Sequence, residues 1–125
     1  MKSAVTRELA RAFSRMRTAA GELQLPGVTE GTWLGRPCLR LRGKSLVGSK
    51  DGRALVILCP IEDKEMLIAA APDAYFETAH YRGYPAVLAR PSKITKRDLK
   101  VRVLRAWRLH ASKRQLREHE QRDLV

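Results

Sequence analysis

The chain has 125 residues, 44% apolar and 30% charged, enough for one domain built on a single core. No apolar run approaches the length that spans a bilayer, and a formal net charge of +12 points to solubility and a polyanionic partner. Cys38 and Cys59 form no CxxC pair and the three histidines have no metal-finger spacing, so neither a metal nor another cofactor is expected. The expected state is a pair of buried free thiols in a cytoplasmic protein.

Val5, Leu9, Ala12, Phe13, Met16, Ala20 and Leu23 recur at helical spacing and predict a first helix running to about Gly21 or slightly beyond. Arg7, Arg11 and Arg15 fall on its other face, Ser3 or Thr6 caps its start, and Gly21 and Pro26 mark its end. Leu25-Pro26-Gly27-Val28 turns the chain. Cys38 to Arg42 alternates apolar and basic residues, the pattern of a half-buried strand with its arginines outward. Gly43-Lys44 leads into Ser45 to Gly48, Lys50-Asp51-Gly52 signals a hairpin, and Arg53 to Cys59 is the next strand.

Pro60 ends that strand. Glu62-Asp63-Lys64-Glu65 opens a second helix with acids in its first turn, Met66, Leu67, Ala70 and Ala71 form its buried side, and Pro72 closes it. Tyr75 to Thr78 reads as a strand leading into the loop His80-Tyr81-Arg82-Gly83-Tyr84-Pro85, where Gly83 permits positive φ and Pro85 fixes the exit. A strand follows from about Ala86 to Arg90. Thr95 caps a last helix with Asp98 at its N3 position. Leu99, Val103, Ala106, Trp107 and His110 share one face of that helix, and Arg97, Arg102, Arg105 and Arg108 are assigned to the other.

The elements predict an α+β domain over residues 1–111, a two-layer sandwich with helices on one face of an antiparallel sheet in the order α-β(3–4)-α-β(2)-α. Residues 112–125 form a tail charged in both signs, which either extends the last helix or frays.

Several stretches resemble the MmcQ/YjbR family of small bacterial proteins: Leu25 to Val28, Glu30-Gly31-Thr32, Arg42-Gly43-Lys44, Tyr75-Phe76, the run from His80 to Arg90, and Ala106-Trp107-Arg108-Leu109. Ala111-Ser112-Lys113-Arg114 stands where that family usually has Ala-Pro-Lys-Arg. The resemblance implies a fold similar to that of type III secretion chaperones, and the DNA-binding label that family members commonly carry.

Residues 90–117 hold eleven basic residues against Asp98 alone, a net +10. A basic strip from Arg97, Lys100, Arg102, Arg105 and Arg108, with Lys93 and Lys96 at its entry, predicts contact with DNA or RNA phosphates. Arg40, Arg42 and Lys44 add a second row on the sheet. No helix-turn-helix, zinc-finger, RRM or KH pattern is present, so the binding expected is not base-specific. His80, Tyr81, Arg82 and Tyr84 are candidates for a ligand or base-stacking site, against the alternative that the tyrosines pack on the sheet. His110 is expected in the core, and Trp33 and Trp107 in the core or at its edge. A thiolate pair of either cysteine with His80 lacks an orienting third residue, so no enzymatic activity is expected. The alternative function is a protein- or peptide-binding module that uses the sheet face. Oligomeric state is not encoded in any of these patterns.

Overall fold

The computed structural model describes residues 4–33, 36–50 and 53–123. Ser3, proposed above as a cap, and Asp51-Gly52 of the proposed hairpin lie outside the described residues. Helix α1 spans Ala4–Leu23 and is followed by strands β1 (Thr29–Trp33), β2 (Arg36–Leu41), β3 (Lys44–Lys50) and β4 (Ala54–Leu58). Helix α2 (Ile61–Ala70), strand β5 (Tyr75–Phe76), a 3-10 turn (Ala79–Tyr81) and strand β6 (Ala86–Ala89) come next. Helices α3 (Lys96–His110) and α4 (Lys113–Asp123) complete the described chain. Among the described residues the strands form one antiparallel sheet in the order β1-β2-β3-β4-β6-β5. The protein is an α+β domain.

Local chemistry explains most boundaries. Gln24 (φ 51°) ends α1: its N–H donates to Gly21 O at 3.1 Å, and the Leu25 N–H reaches Ala20 O at 3.3 Å, a Schellman closure. The β2–β3 turn is Arg42-Gly43, one residue earlier than expected, and both residues have positive φ, as a two-residue hairpin with the right twist requires. Pairing shifts from Leu39↔Val47 to Arg40↔Ser45, so Leu46 is an extra residue in β3. That bulge lets Leu46 and Val47 both enter the core.

The main core joins Leu9, Phe13 and Met16 of α1 and Leu99, Val103 and Trp107 of α3 to Leu39, Leu55, Ile57 and Val87 of the sheet. Trp107 is fully buried, and its indole N–H donates to Pro26 O at 2.8 Å. A second, smaller cluster lies apart from this core: Ala54, Tyr81, Ala86 and Leu88, with Val56 and Phe76 packed on it. All four β6 residues are therefore buried, which explains their unbroken apolar run.

Two expectations need correcting. Met66 and Ala70 are exposed, and the buried side of α2 is Lys64, Leu67, Ile68 and Ala71, partly or fully covered at spacings of three and four. Among the described residues, the tail does not continue α3. Ala111 is extended, and Ser112 starts a separate helix by a capping box. The Gln115 N–H donates to Ser112 Oγ at 3.1 Å, and Gln115 Oε1 accepts from the Ser112 N–H at 2.9 Å. Helix α4 docks through Leu116 and the buried His119, whose ring lies 5.0 Å from that of Trp107. His119 Nε2 is 3.1 Å from Leu23 O, and because a carbonyl only accepts, Nε2 carries the proton.

Candidate functional site

The His80–Pro85 loop is held by a residue that the sequence pattern hid. Lys64 of α2 is 3% exposed, and its ammonium donates to Tyr81 O at 2.6 Å and to Tyr84 O at 3.1 Å. Its third partner is the Glu77 carboxylate at 2.8 Å, so every donor of the buried charge is used. With Gly83 at φ 76° the loop turns back over the sheet, and Tyr81 packs on Ala54, Ala86 and Leu88. The Tyr81 ring meets His80 and Tyr84 edge-on at 5.0 and 6.0 Å. Tyr81 is 9% exposed and Tyr84 56%, so the two tyrosines divide the roles considered for them: one is packing, the other a ring open to a ligand.

Beside this loop lies a cavity of about 760 Å³. Val56 and Leu58 of β4 with Gly48 and Ser49 of β3 line it from the sheet, and His80, Tyr84 and Pro85 from the loop. Leu109 and His110, at the end of α3, line it too, and Lys44 of the β2–β3 hairpin contributes a cation. Arg42 reaches the same end of α3, its Nη1 3.5 Å from His110 O. His110 is half-buried at this cavity and not in the core as expected. Burial, then the charges of Lys44 and Arg42, push its imidazole below the ordinary value and favour the neutral ring. Among the described residues, no Asp or Glu lines the cavity.

The predicted basic strip breaks up. Arg102 is 9% exposed, because positions 99, 102, 103, 106 and 107 all face inward; its assignment to the outer face is corrected. Its Nε has no hydrogen-bond partner among the described residues and lies 3.9 Å from Asp98 Oδ1. Arg105 donates through Nε and Nη2 to Asp63 Oδ2 at 3.0 and 2.9 Å, and Lys100 pairs with Glu22 at 3.1 Å. Arg40 braces the first hairpins, donating to Gly43 O at 2.8 Å. Arg97, Arg108 and Lys44 are exposed without a hydrogen bond or ion pair among the described residues, and Arg42 is exposed with a long hydrogen bond to His110 O. Arg82, at the loop tip, is exposed as well.

The Cys59 thiol and the buried Tyr75 phenol are held in their neutral forms. Cys38 and Cys59 are buried and free. Burial, then the Asp63 charge, pushes the Cys59 thiol up to about 11. Burial and the hydrogen bond it donates to Asp98 raise the Tyr75 phenol well above its usual range.

Residues 23–109 match the sequence profile of the family described as YjbR. The chain belongs to the MmcQ/YjbR family. The YjbR segment covers the sheet, α2 and almost all of α3, and thus every cavity-lining residue except His110, which directly follows it. Curated relatives of this YjbR protein include the uncharacterized protein Mb2600 of Mycobacterium bovis and the uncharacterized proteins MT2646 and Rv2570 of Mycobacterium tuberculosis. Each is 48% identical over 50 residues, 40% of this chain, and the match spans 39% of the relative's length. No solved structure matches the chain significantly. Among the described residues no helix is long and apolar enough to cross a membrane.

Proposed function

We propose that this YjbR protein is a non-enzymatic cytoplasmic domain that binds DNA or RNA without base specificity. The observation that carries the reading is the meeting of exposed cations at one end of the molecule. Arg42 in the β2–β3 turn and Lys44 at the start of β3 stand at the end of α3, with Arg108 on that helix's last turn, in a chain of net charge +12. Arg97 adds a cation at the other end of α3. Phosphates that displace condensed counterions at such residues give salt-sensitive affinity with no base contact. Arg102 does not belong to this surface, and Arg105 and Lys100 enter it only by giving up Asp63 and Glu22. Tyr84 is the ring available for stacking on an unpaired base.

The test is anisotropy of labelled duplex and single-stranded DNA and RNA at several salt concentrations. Four neutralised phosphates on duplex give a slope of about −3.6 in log affinity against log salt. Reversing Arg42, Lys44, Arg97 and Arg108 to glutamate together should abolish binding and leave the circular dichroism spectrum intact. Tyr84→Ala should weaken single-strand binding by about 1 kcal/mol or more and spare duplex if the ring stacks. Absence of binding by the parent at low salt, or unchanged binding by the folded quadruple variant, ends the reading. The interaction-module alternative then takes its place.

A further inference from the structure

The cavity under the His80–Pro85 loop, which shares Lys44 and Tyr84 with the proposed phosphate-binding surface and has Arg42 at its rim, has features that packing leaves unexplained. Tyr84 and Leu109, 56% and 46% exposed, are two of the four large apolar side chains left in water among the described residues, and both face this one cavity. Its volume, about 760 Å³, falls in the range of small-molecule sites. Its walls are mainly apolar: Val56, Leu58, Pro60 and Pro85 beside the two exposed side chains. Gly48, which has no side chain, keeps the β3 floor low, and Ser45 places a hydroxyl beside it.

The polar groups have one sign. Lys44 lines the cavity, Arg42 stands against the backbone of His110, and no carboxylate among the described residues lies on the lining to neutralise them. The loop wall is preformed, because the buried Lys64 ammonium holds the carbonyls of Tyr81 and Tyr84 in place. A ligand entering here does not have to order its own wall, which removes one of the usual entropic penalties of binding.

We propose that this cavity binds a small amphipathic anion. A planar, apolar ring lies between the β4 side chains Val56 and Leu58 and the Tyr84 ring, and a carboxylate or phosphate on that ring meets Lys44 and Arg42 at the rim. His80 and His110 offer ring nitrogens to polar atoms at the edge of the ligand. The shared chemistry fits a nucleoside monophosphate or an aromatic carboxylic acid, and the inference does not depend on polymeric nucleic acid binding.

The experiment titrates ¹⁵N-labelled full-length protein with naphthalene-2-carboxylate and adenosine 5′-monophosphate, each beside its uncharged counterpart, naphthalene-2-carboxamide or adenosine. Saturable shifts centred on the amides of Gly48, Ser49, Tyr84 and Leu109 are expected with at least one anion, about tenfold tighter than with its neutral partner. Lys44→Glu, an exposed change whose spectrum reports its own folding, should weaken that anion about tenfold. Tyr84→Ala, also exposed, should weaken anion and neutral counterpart alike. Response to the carboxylate alone identifies an aromatic acid site; response to the nucleotide alone identifies a nucleotide site. No saturable shift at these amides with either anion, equal affinity for charged and neutral forms, or indifference to Lys44→Glu in the folded variant overturns the proposal. Because both probes are monomeric, these outcomes stand whether or not the protein binds DNA or RNA.

Discussion

Replacing Lys64 with methionine keeps an apolar stem as long as that of lysine, with sulfur in place of Cδ, and removes the ammonium. In the folded protein that ammonium donates to Tyr81 O and Tyr84 O at 2.6 and 3.1 Å and pairs with Glu77 at 2.8 Å. Hydrogen bonds from a charged donor contribute about 1.5–3 kcal/mol each, and stripping one partner from a buried ion pair costs about 3–5 kcal/mol. Three features bring the figure down. Tyr81 O still accepts from the Tyr84 N–H at 3.0 Å, and Tyr84 O from the Ala86 N–H at 2.8 Å, so neither carbonyl is orphaned. The Glu77 side chain is 35% exposed and regains water. The ammonium's own desolvation penalty also disappears with it. The expected loss is about 2–3 kcal/mol, read as a lower urea midpoint with unchanged slope. Amide resonances of residues 80–86 should move most, and Glu77→Gln, which leaves the buried ammonium its carbonyls but no counter-charge, should cost about 1–3 kcal/mol. A Lys64→Met protein as stable as the parent, with the loop resonances in place, would refute the idea that this charge holds the loop.

Trp107→Ala should destabilise by about 3–5 kcal/mol, and Trp107→Phe by about 1–2 kcal/mol because Pro26 O loses its indole donor; urea denaturation separates the two. Arg42 sits at φ 52°, a region that asparagine tolerates better. Arg42→Asn should therefore stabilise by about 0.5–1 kcal/mol while weakening nucleic-acid binding, and a destabilised variant would contradict the turn assignment. His110 should titrate below the ordinary imidazole value of about 6.5 when followed by NMR. Since its folded pKa is the lower one, the unfolded chain binds the proton more tightly. The stability tied to the neutral ring is present above about pH 6.5 and is lost as pH falls toward the folded pKa. Lys44→Met should raise that folded pKa, and an unmoved titration would remove Lys44 as a cause.

Periodicity in the chain was enough for the α+β class, the helical stripes of α1 and α3, the strands β2 to β4 and the turn chemistry around Gly43 and Gly83. These depend on local patterns: apolar spacing, capping residues and the few residues that accept positive φ. The charge excess is equally a property of composition. Sequence patterns also contained two signals that charge concealed: Arg102 lies three residues after Leu99 and four before Ala106, and Lys64 lies three before Leu67, so both occupy inward positions. What only the tertiary structure decided is the fate of each charge and each ring. Whether a cation is spent on Asp63, Glu22 or a loop carbonyl depends on elements dozens of residues away, as does the placing of His110 at a cavity and Tyr84 in water. Spacing along a helix specifies a face, but the partner across from that face is set by how the layers pack, and that distant partner determines whether an arginine is a brace, a plug or an open site.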